Sequence, residues 1–281
     1  MKILVTGSAG HLGEGLVRVL REQHAQRHEV VGVDILESPF TTQVGSISDR
    51  AFVADCMRGV DAVIHTATLH KPHVATHSKQ AFVDTNITGT LALLEEAVAI
   101  DPGFAMAWRK MGVELRNQFA ATSRVNEALT KAFENRDRLT ERERLLAGGS
   151  YYTSVAADYP KAIAEYERML DRDQGDAWAL NNVSILYGVI RDRDRSYDYM
   201  LRSFAADSST STAYTNLAIE TYQATGEVDS ARAIIDRAKL RFPGNPAVEL
   251  WEARYAGLAH EFEQAGALAD DIAASHRDNA G

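Results

Sequence analysis

The residues best suited to chemistry stand near the start of the chain. Gly7, Gly10 and Gly13 are spaced as GxxGxxG, and Asp34 follows 21 positions after the last of them. Glycines at such intervals let a chain turn tightly, bring a pyrophosphate against the backbone and pack a helix on a strand, while the helix N-terminus faces the phosphates. A carboxylate at the position of Asp34 accepts both ribose hydroxyls of NAD and repels the 2′-phosphate of NADP. The plainer alternatives are a simple strand-to-helix turn for the glycines and a turn cap for Asp34.

These residues need elements to hold them. Ile3, Leu4 and Val5 form a β-branched apolar run that ends at the first glycine, and Leu16, Val17 and Leu20 recur at helical spacing after the last. Glu29 to Asp34 reads as a second buried strand, Asp49 to Met57 as a short helix, Asp61 to His65 as a third strand, and Ser78 to Ala99 as a long helix. Strands alternating with helices imply a parallel sheet. His70, His73 and His77 form a second cluster, with His73 and His77 on one face if the helix starts early. Without cysteine, with few carboxylates nearby, and with Pro72 favouring a loop, they read as solvated loop histidines, and no metal is expected.

The glycine pattern, Asp34, the stretch His65, Thr66, Ala67 after the third strand, and Asn86 to Thr90 in the next helix stand in the order found in the extended short-chain dehydrogenases/reductases. The first 100 residues resemble that family, the NAD-dependent epimerases and dehydratases. The resemblance implies a Rossmann fold, NAD held along Gly7, Gly10, His11, Leu12, Gly13, Asp34 and Ala67, and Asn86 bracing the central strands. Ser46 replaces the Asp that often contacts adenine. The family's proton transfer uses a Tyr four residues before a Lys, with a Ser or Thr nearby, and no Tyr of this chain has Lys at that spacing. No catalytic residue is assigned, and an adenosine half-site for NAD is expected rather than hydride chemistry.

From Asp101 onward the pattern changes. Turn signals at Pro102, Gln174, Ser208 and Pro243 lie 72, 34 and 35 residues apart, which fits a helix–turn–helix repeat of about 34 with the first interval holding two units. Trp108, Met111, Gly112 and Leu115, then Leu180, Val183, Ser184 and Tyr187, and less completely Tyr214, Leu217 and Ala218, repeat one first-helix pattern. Second helices carry a small residue before larger ones, as in Ala162 with Tyr166, Ser196 with Met200, and Ala231 with Ile235. Residues 101–275 resemble tetratricopeptide repeats in about five units, the first with extra residues around Phe119 to Arg124. Such arrays offer a groove to a peptide or protein partner. Asn181, Asn182 and Asn216 are the groove candidates, against the plainer reading of solvated surface. Trp108, Trp178 and Trp251 read as packing, and Arg191 to Arg195 as a solvated turn.

The expected fold is therefore α/β plus all-α: an incomplete Rossmann-like parallel sheet in residues 1–100 fused to a tetratricopeptide-like solenoid in residues 101–281. Glu95 to Pro102 suits the end of either part, so one helix is expected to serve both. Losing the later strands leaves Ala62 to Thr66 as a sheet edge, a surface for a covering helix or a second copy. Basic residues number 8 against 11 acidic in residues 1–100, and 22 against 28 in residues 101–281. Neither half has the positive field that nucleic acid selects. One cysteine, no span of about 20 apolar residues and no signal segment suit the cytoplasm.

Overall fold

Lys2–Thr6 (β1), Glu29–Asp34 (β2), Gln43–Val44 (β3) and Ala62–His65 (β4) form one parallel sheet in the order β3-β2-β1-β4. The computed structural model describes residues 1–24, 28–70, 73–118 and 120–277, which divide into two compact units, Met1–Asn135 and Arg136–Gly281. Lys71, Pro72 and Phe119 lie outside the described residues, and with them the expectations for a proline loop and for the start of the inserted stretch.

Period-two alternation on β1 decides the two faces of the first unit. Ile3 and Val5 pack with Val17 of the helix His11–His24 (α1) and with Val30. Leu4 turns the other way, onto Val31, Val33, Val53 of Arg50–Met57 (α2), and Leu93. Asp49 starts α2 by accepting from the amides of Ala51 and Phe52, as a helix-capping carboxylate does. Among the described residues β4 pairs with β1 alone, from Ile3 opposite Ala62 to Thr6 opposite His65, so it is the sheet edge that the sequence implies. The short β3 was not expected.

The long helix expected over Ser78 to Ala99 is three segments: Lys79–Phe82 (α3), a π-helical stretch Val83–Gly89, and Thr90–Ile100 (α4). Ser78 caps the start by accepting from the Ala81 amide. A Cβ on Gly89 would stand 2.5 Å from Cγ1 of Ile47, so glycine is what lets the helix come this near. α4 then serves two surfaces. Ala92 and Leu93 join the sheet cluster, while Val98 faces Trp108, Met111 and Leu115 of Ala105–Asn117 (α5) across a cleft of about 200 Å³. Glu95 at its rim is bridged by Arg50 and Arg124, and Trp108 is held by a bond from Nε1 to the Pro102 carbonyl, 2.8 Å.

Helix pairs make up the rest. α5 pairs with Thr122–Glu134 (α6) in the first unit. In the second unit Glu141–Ser154 (α7) pairs with Tyr159–Leu170 (α8), Ala177–Val189 (α9) with Arg193–Ala206 (α10), Ser211–Thr225 (α11) with Val228–Arg241 (α12), and Pro246–Leu258 (α13) with Phe262–Arg277 (α14). First helices begin at 105, 141, 177, 211 and 246, in keeping with the expected period near 34 and the five units.

Small residues set how closely the helices of a pair approach. A Cβ on Gly112 would meet Leu129 at 2.6 Å, and one on Gly149 would meet the Tyr166 ring at 2.4 Å. Ser184 and Ser196 each donate to the other's carbonyl at 2.8 Å. The second-helix residues of that pattern, Ala162, Tyr166, Ser196, Met200, Ala231 and Ile235, are all buried, as is Ala238 one turn further on. One expectation needs correction. Of the charge run, Arg193, Asp194 and Arg195 belong to α10, because Asp192 caps that helix by accepting from the Arg195 amide and leaves only Arg191 and itself in the turn.

Candidate functional site

The seven residues expected to hold a cofactor come together at the carboxyl ends of β1, β2 and β4. Gly7 adopts φ +74°, a left-handed conformation that glycine takes without strain, and its amide donates to the Val33 carbonyl at 2.8 Å. A Cβ there would stand 2.7 Å from the Ala67 nitrogen. On Gly13 a Cβ would stand 2.0 Å from the Gly7 oxygen, so the loop folds onto the start of α1 as the spacing implies.

Gly10, His11 and Leu12 are exposed. Among the described residues, the amides of His11, Leu12 and Gly13 meet no hydrogen-bond acceptor, the condition in which a helix start attracts an anion. Asp34 caps its own turn, accepting from Leu36 N at 3.0 Å through Oδ1, and also ties down the glycine loop, accepting from Ala9 N at 2.9 Å through Oδ2. Each oxygen keeps a lone pair for a further donor. Ile35 and Leu36 beside it are each 61% exposed, an apolar ledge that no periodicity in the sequence marks.

Below the glycine loop lies a network of hydroxyls and one imidazole. Thr6 is fully buried, and its Oγ1 accepts from Thr66 N at 3.2 Å and Ala67 N at 3.3 Å. The same oxygen lies 2.7 Å from His65 Nδ1. On the far side His65 Nε2 lies 3.0 Å from Thr90 Oγ1, which donates to the Asn86 carbonyl at 2.8 Å. Packing around the ring, and then the positive charge of Lys110, hold the His65 pKa below its ordinary value, although the residue remains solvent-accessible. Asn86 accepts from Leu69 N at 2.8 Å and donates to Leu69 O at 2.7 Å, so it braces the segment after β4. The sequence singles out His65, Thr66, Ala67 and Asn86 to Thr90 by their order; that Thr6, directly before Gly7, joins them is what the structure adds.

The other titratable groups of this unit offer less. His73 Nδ1 accepts from the His70 amide at 3.1 Å, His77 Nδ1 lies 2.9 Å from Thr76 Oγ1, and the described residues hold no group of three metal-ligating side chains. Cys56 donates to Gln43 Oε1, and burial first, then Asp55, pushes its thiol up to about 11, far from a reactive thiolate. Ser46 turns inward to Ser48, 2.8 Å away.

In the second unit Asn216 donates to Asn181 Oδ1 at 2.8 Å, joining two successive first helices, whereas Asn182 donates to Trp178 O on its own helix. Trp178 stands edge-on to Tyr166 yet is 43% exposed. With Ile185 and Val189 it makes an apolar stripe along one face of α9.

The profile of the NAD dependent epimerase/dehydratase family matches residues 3–152, more than half of the chain. The chain belongs to this family. The sterol demethylase protein B of Methylococcus capsulatus is 33% identical over 104 residues, 34% of this chain and 30% of that protein. A dTDP-glucose 4,6-dehydratase of Mycolicibacterium smegmatis is 32% identical over 108 residues, 34% of this chain and 32% of that one. The chain thus spans about a third of the length of these relatives. The solved structure of PilW, a widely conserved type IV pilus biogenesis factor, covers 67% of this chain with 85% of its own at a TM-score of 0.51 and 16% identity. That likeness concerns the fold alone. The helical part has the architecture of tetratricopeptide-repeat proteins.

Proposed function

We propose that this chain is an interaction protein: residues 101–281 bind a peptide segment of a partner, and residues 1–100 hold NAD by its adenosine half without turning it over. The observation that carries this reading is the set of amides at the start of α1 that meet no acceptor, followed, among the described residues, by helix pairs where the family's catalytic groups are expected. The amides of His11, Leu12 and Gly13 would take the diphosphate, Asp34 the ribose, and Ile35 with Leu36 one face of the adenine. The nicotinamide would bring hydride chemistry, but no Tyr lies four residues before a Lys to relay its proton. Calorimetry with ADP, ADP-ribose and NAD tests this. A half-site binds all three within about three-fold, while NAD binding more than about ten-fold tighter removes the half-site. Failure of all three removes the nucleotide reading.

For the repeats, the Trp178, Ile185 and Val189 stripe beside the Asn181–Asn216 pair suits a peptide with apolar side chains and free backbone amides. Ile185→Asp should abolish peptide capture by the full chain and leave ADP binding intact; unchanged capture counts against the groove. Family membership favours a second reading, an NAD-dependent epimerase/dehydratase-type oxidoreductase acting on a sugar nucleotide or similar substrate. Absence of turnover with such substrates would sink it. We assign the β4 edge to self-association, motivated by its single neighbour β1; a monomer by light scattering with slowly exchanging β4 amides would refute that. The single buried free thiol supports a place in the cytoplasm, which fractionation of the source cells would check.

A further inference from the structure

The helix pairs align residue by residue, and at one place they differ in what fills the space. α5 and α9 coincide end for end at an offset of 72, which sets Leu115 on Tyr187. The same offset sets Glu95 and Val98 of α4 on Glu167 and Leu170 of α8. The turn after α5 is one residue longer than the turn after α9, so α6 meets α10 at an offset of 71. Buried Val125, Leu129 and Ala132 then fall on buried Ser196, Met200 and Ser203. Arg124 falls on Arg195, and Ala128 on Tyr199.

In the later repeat two tyrosine rings pack among α8, α9 and α10. Tyr187 and Tyr199 lie stacked with centroids 5.6 Å apart, and their hydroxyls donate to Glu167 Oε1 at 3.0 and 2.9 Å. Arg195 stands over the Tyr187 ring at 5.3 Å and donates to its hydroxyl at 3.3 Å. In the earlier repeat the carboxylate and the guanidinium remain and both rings are gone. Glu95 is bridged by Arg124 at 3.2 Å and by Arg50. Leu115 and Ala128, standing in place of the two tyrosines, line the cleft of about 200 Å³ between α4, α5 and α6.

That cleft has the surroundings of a buried tyrosine: apolar walls for a ring and a carboxylate for its hydroxyl. Each oxygen of Glu95 holds one arginine and has lone-pair room for a further donor. Sites for drug-sized ligands run to roughly 300–1,000 Å³, so this smaller space suits a single ring. We propose that the cleft binds a small phenol, with its ring against Trp108, Met111 and Leu115 and its hydroxyl donating to Glu95. The site shares no residue with the glycine loop, and the inference does not rest on the dinucleotide reading.

The test is a titration of the full chain with p-cresol, followed by NMR on the Met111 methyl group and the Trp108 indole. A saturable shift is expected, with a dissociation constant of about a millimolar or below. Toluene, which has the ring without the donor, should bind roughly ten-fold more weakly or worse. Ala128→Tyr puts back the ring that Tyr199 supplies in the later repeat and should abolish p-cresol binding. Should Ala128→Tyr not fold, nuclear Overhauser contacts from the p-cresol ring to the Val98 and Met111 methyl groups of the wild-type protein locate the ligand. Absence of a saturable shift, absence of those contacts at saturation, or unchanged binding in a folded Ala128→Tyr overturns the site. Toluene binding as tightly as p-cresol overturns the role of Glu95 and the phenol class. N-acetyltyrosine amide binding more than about ten-fold tighter than p-cresol would hand the cleft to a tyrosine of a partner chain and overturn the small-ligand assignment.

Discussion

Replacing Gly13 with alanine puts a methyl group where a carbonyl already stands. The added Cβ would lie 2.0 Å from the Gly7 oxygen, 2.7 Å from its carbon and 2.9 Å from Ser8 Cα, all backbone atoms with no rotamer to escape into. Reaching ordinary contact requires a retreat of roughly 1.4 Å. That movement pulls on the bond from Gly7 N to Val33 O, 2.8 Å, and on the one from Gly10 N to Gly7 O, 3.0 Å. Overpacking of about 1–3 kcal/mol plus about 1 kcal/mol for a weakened bond gives roughly 2–4 kcal/mol. In urea, with a slope of about 1–3 kcal/mol per molar, the midpoint of the first unit should drop by about 1 M or more. Trp108 is the only tryptophan of that unit, so its fluorescence reports the transition once Trp178 and Trp251 are replaced by phenylalanine. ADP binding should fall beyond detection. Gly15→Ala is the control: nothing lies within 4 Å of its added Cβ, and it should gain up to about 1 kcal/mol of helix propensity. If Gly13→Ala unfolds at the wild-type midpoint and keeps its ADP affinity, the geometry of the loop is not as described.

Tyr255→Phe should be neutral or stabilise the second unit by up to about 1 kcal/mol in thermal unfolding, because its buried hydroxyl has no hydrogen-bond partner among the described residues. Gly149→Ala should cost roughly 1–2 kcal/mol, since its Cβ would press on the Tyr166 ring at 2.4 Å and helix propensity restores only part of the loss. Tyr199 and Tyr255 should ionise in an ultraviolet titration near 12 rather than 10, pushed up by burial and, for Tyr199, next by Glu167. A raised phenol value means that the folded state keeps its proton longer, so stability is full below 10 and declines as pH rises from 10 toward 12.

Much of this architecture could be read from residue order. β1, β2 and β4 are apolar runs that end at glycine, aspartate or histidine, and the repeat period survives as buried small residues at Gly112, Ser184 and Ala218. β3 escaped because two residues, Gln43 and Val44, carry no periodicity, and their pairing with Val33 and Asp34 depends on the path of the chain before them. The π-helical turn escaped because one extra residue in a hydrogen-bond ring leaves the apolar pattern nearly unchanged. At the site, the glycines announce themselves because only their missing Cβ permits the contacts. The bond of His65 to Thr90 joins positions 25 apart and is a product of tertiary packing. Trp178 packs edge-on against Tyr166 as expected, but how far it stays open to solvent depends on the spacing of neighbouring helices, which the residue type does not show.

α4 carries a phase constraint that bears on how such a chain can arise. Its first turns put Ala92 and Leu93 on the sheet, and its last turns put Val98 toward α5. One residue gained or lost between Leu93 and Val98 would rotate everything downstream by about 100° and turn Val98 away from its partners. An insertion of seven residues, close to two full turns, would leave the two faces nearly aligned. Among crossovers that could splice a strand–helix unit to a repeat array within this helix, only a few registers keep both sides packed. The helix is a filter on recombination as much as a strut.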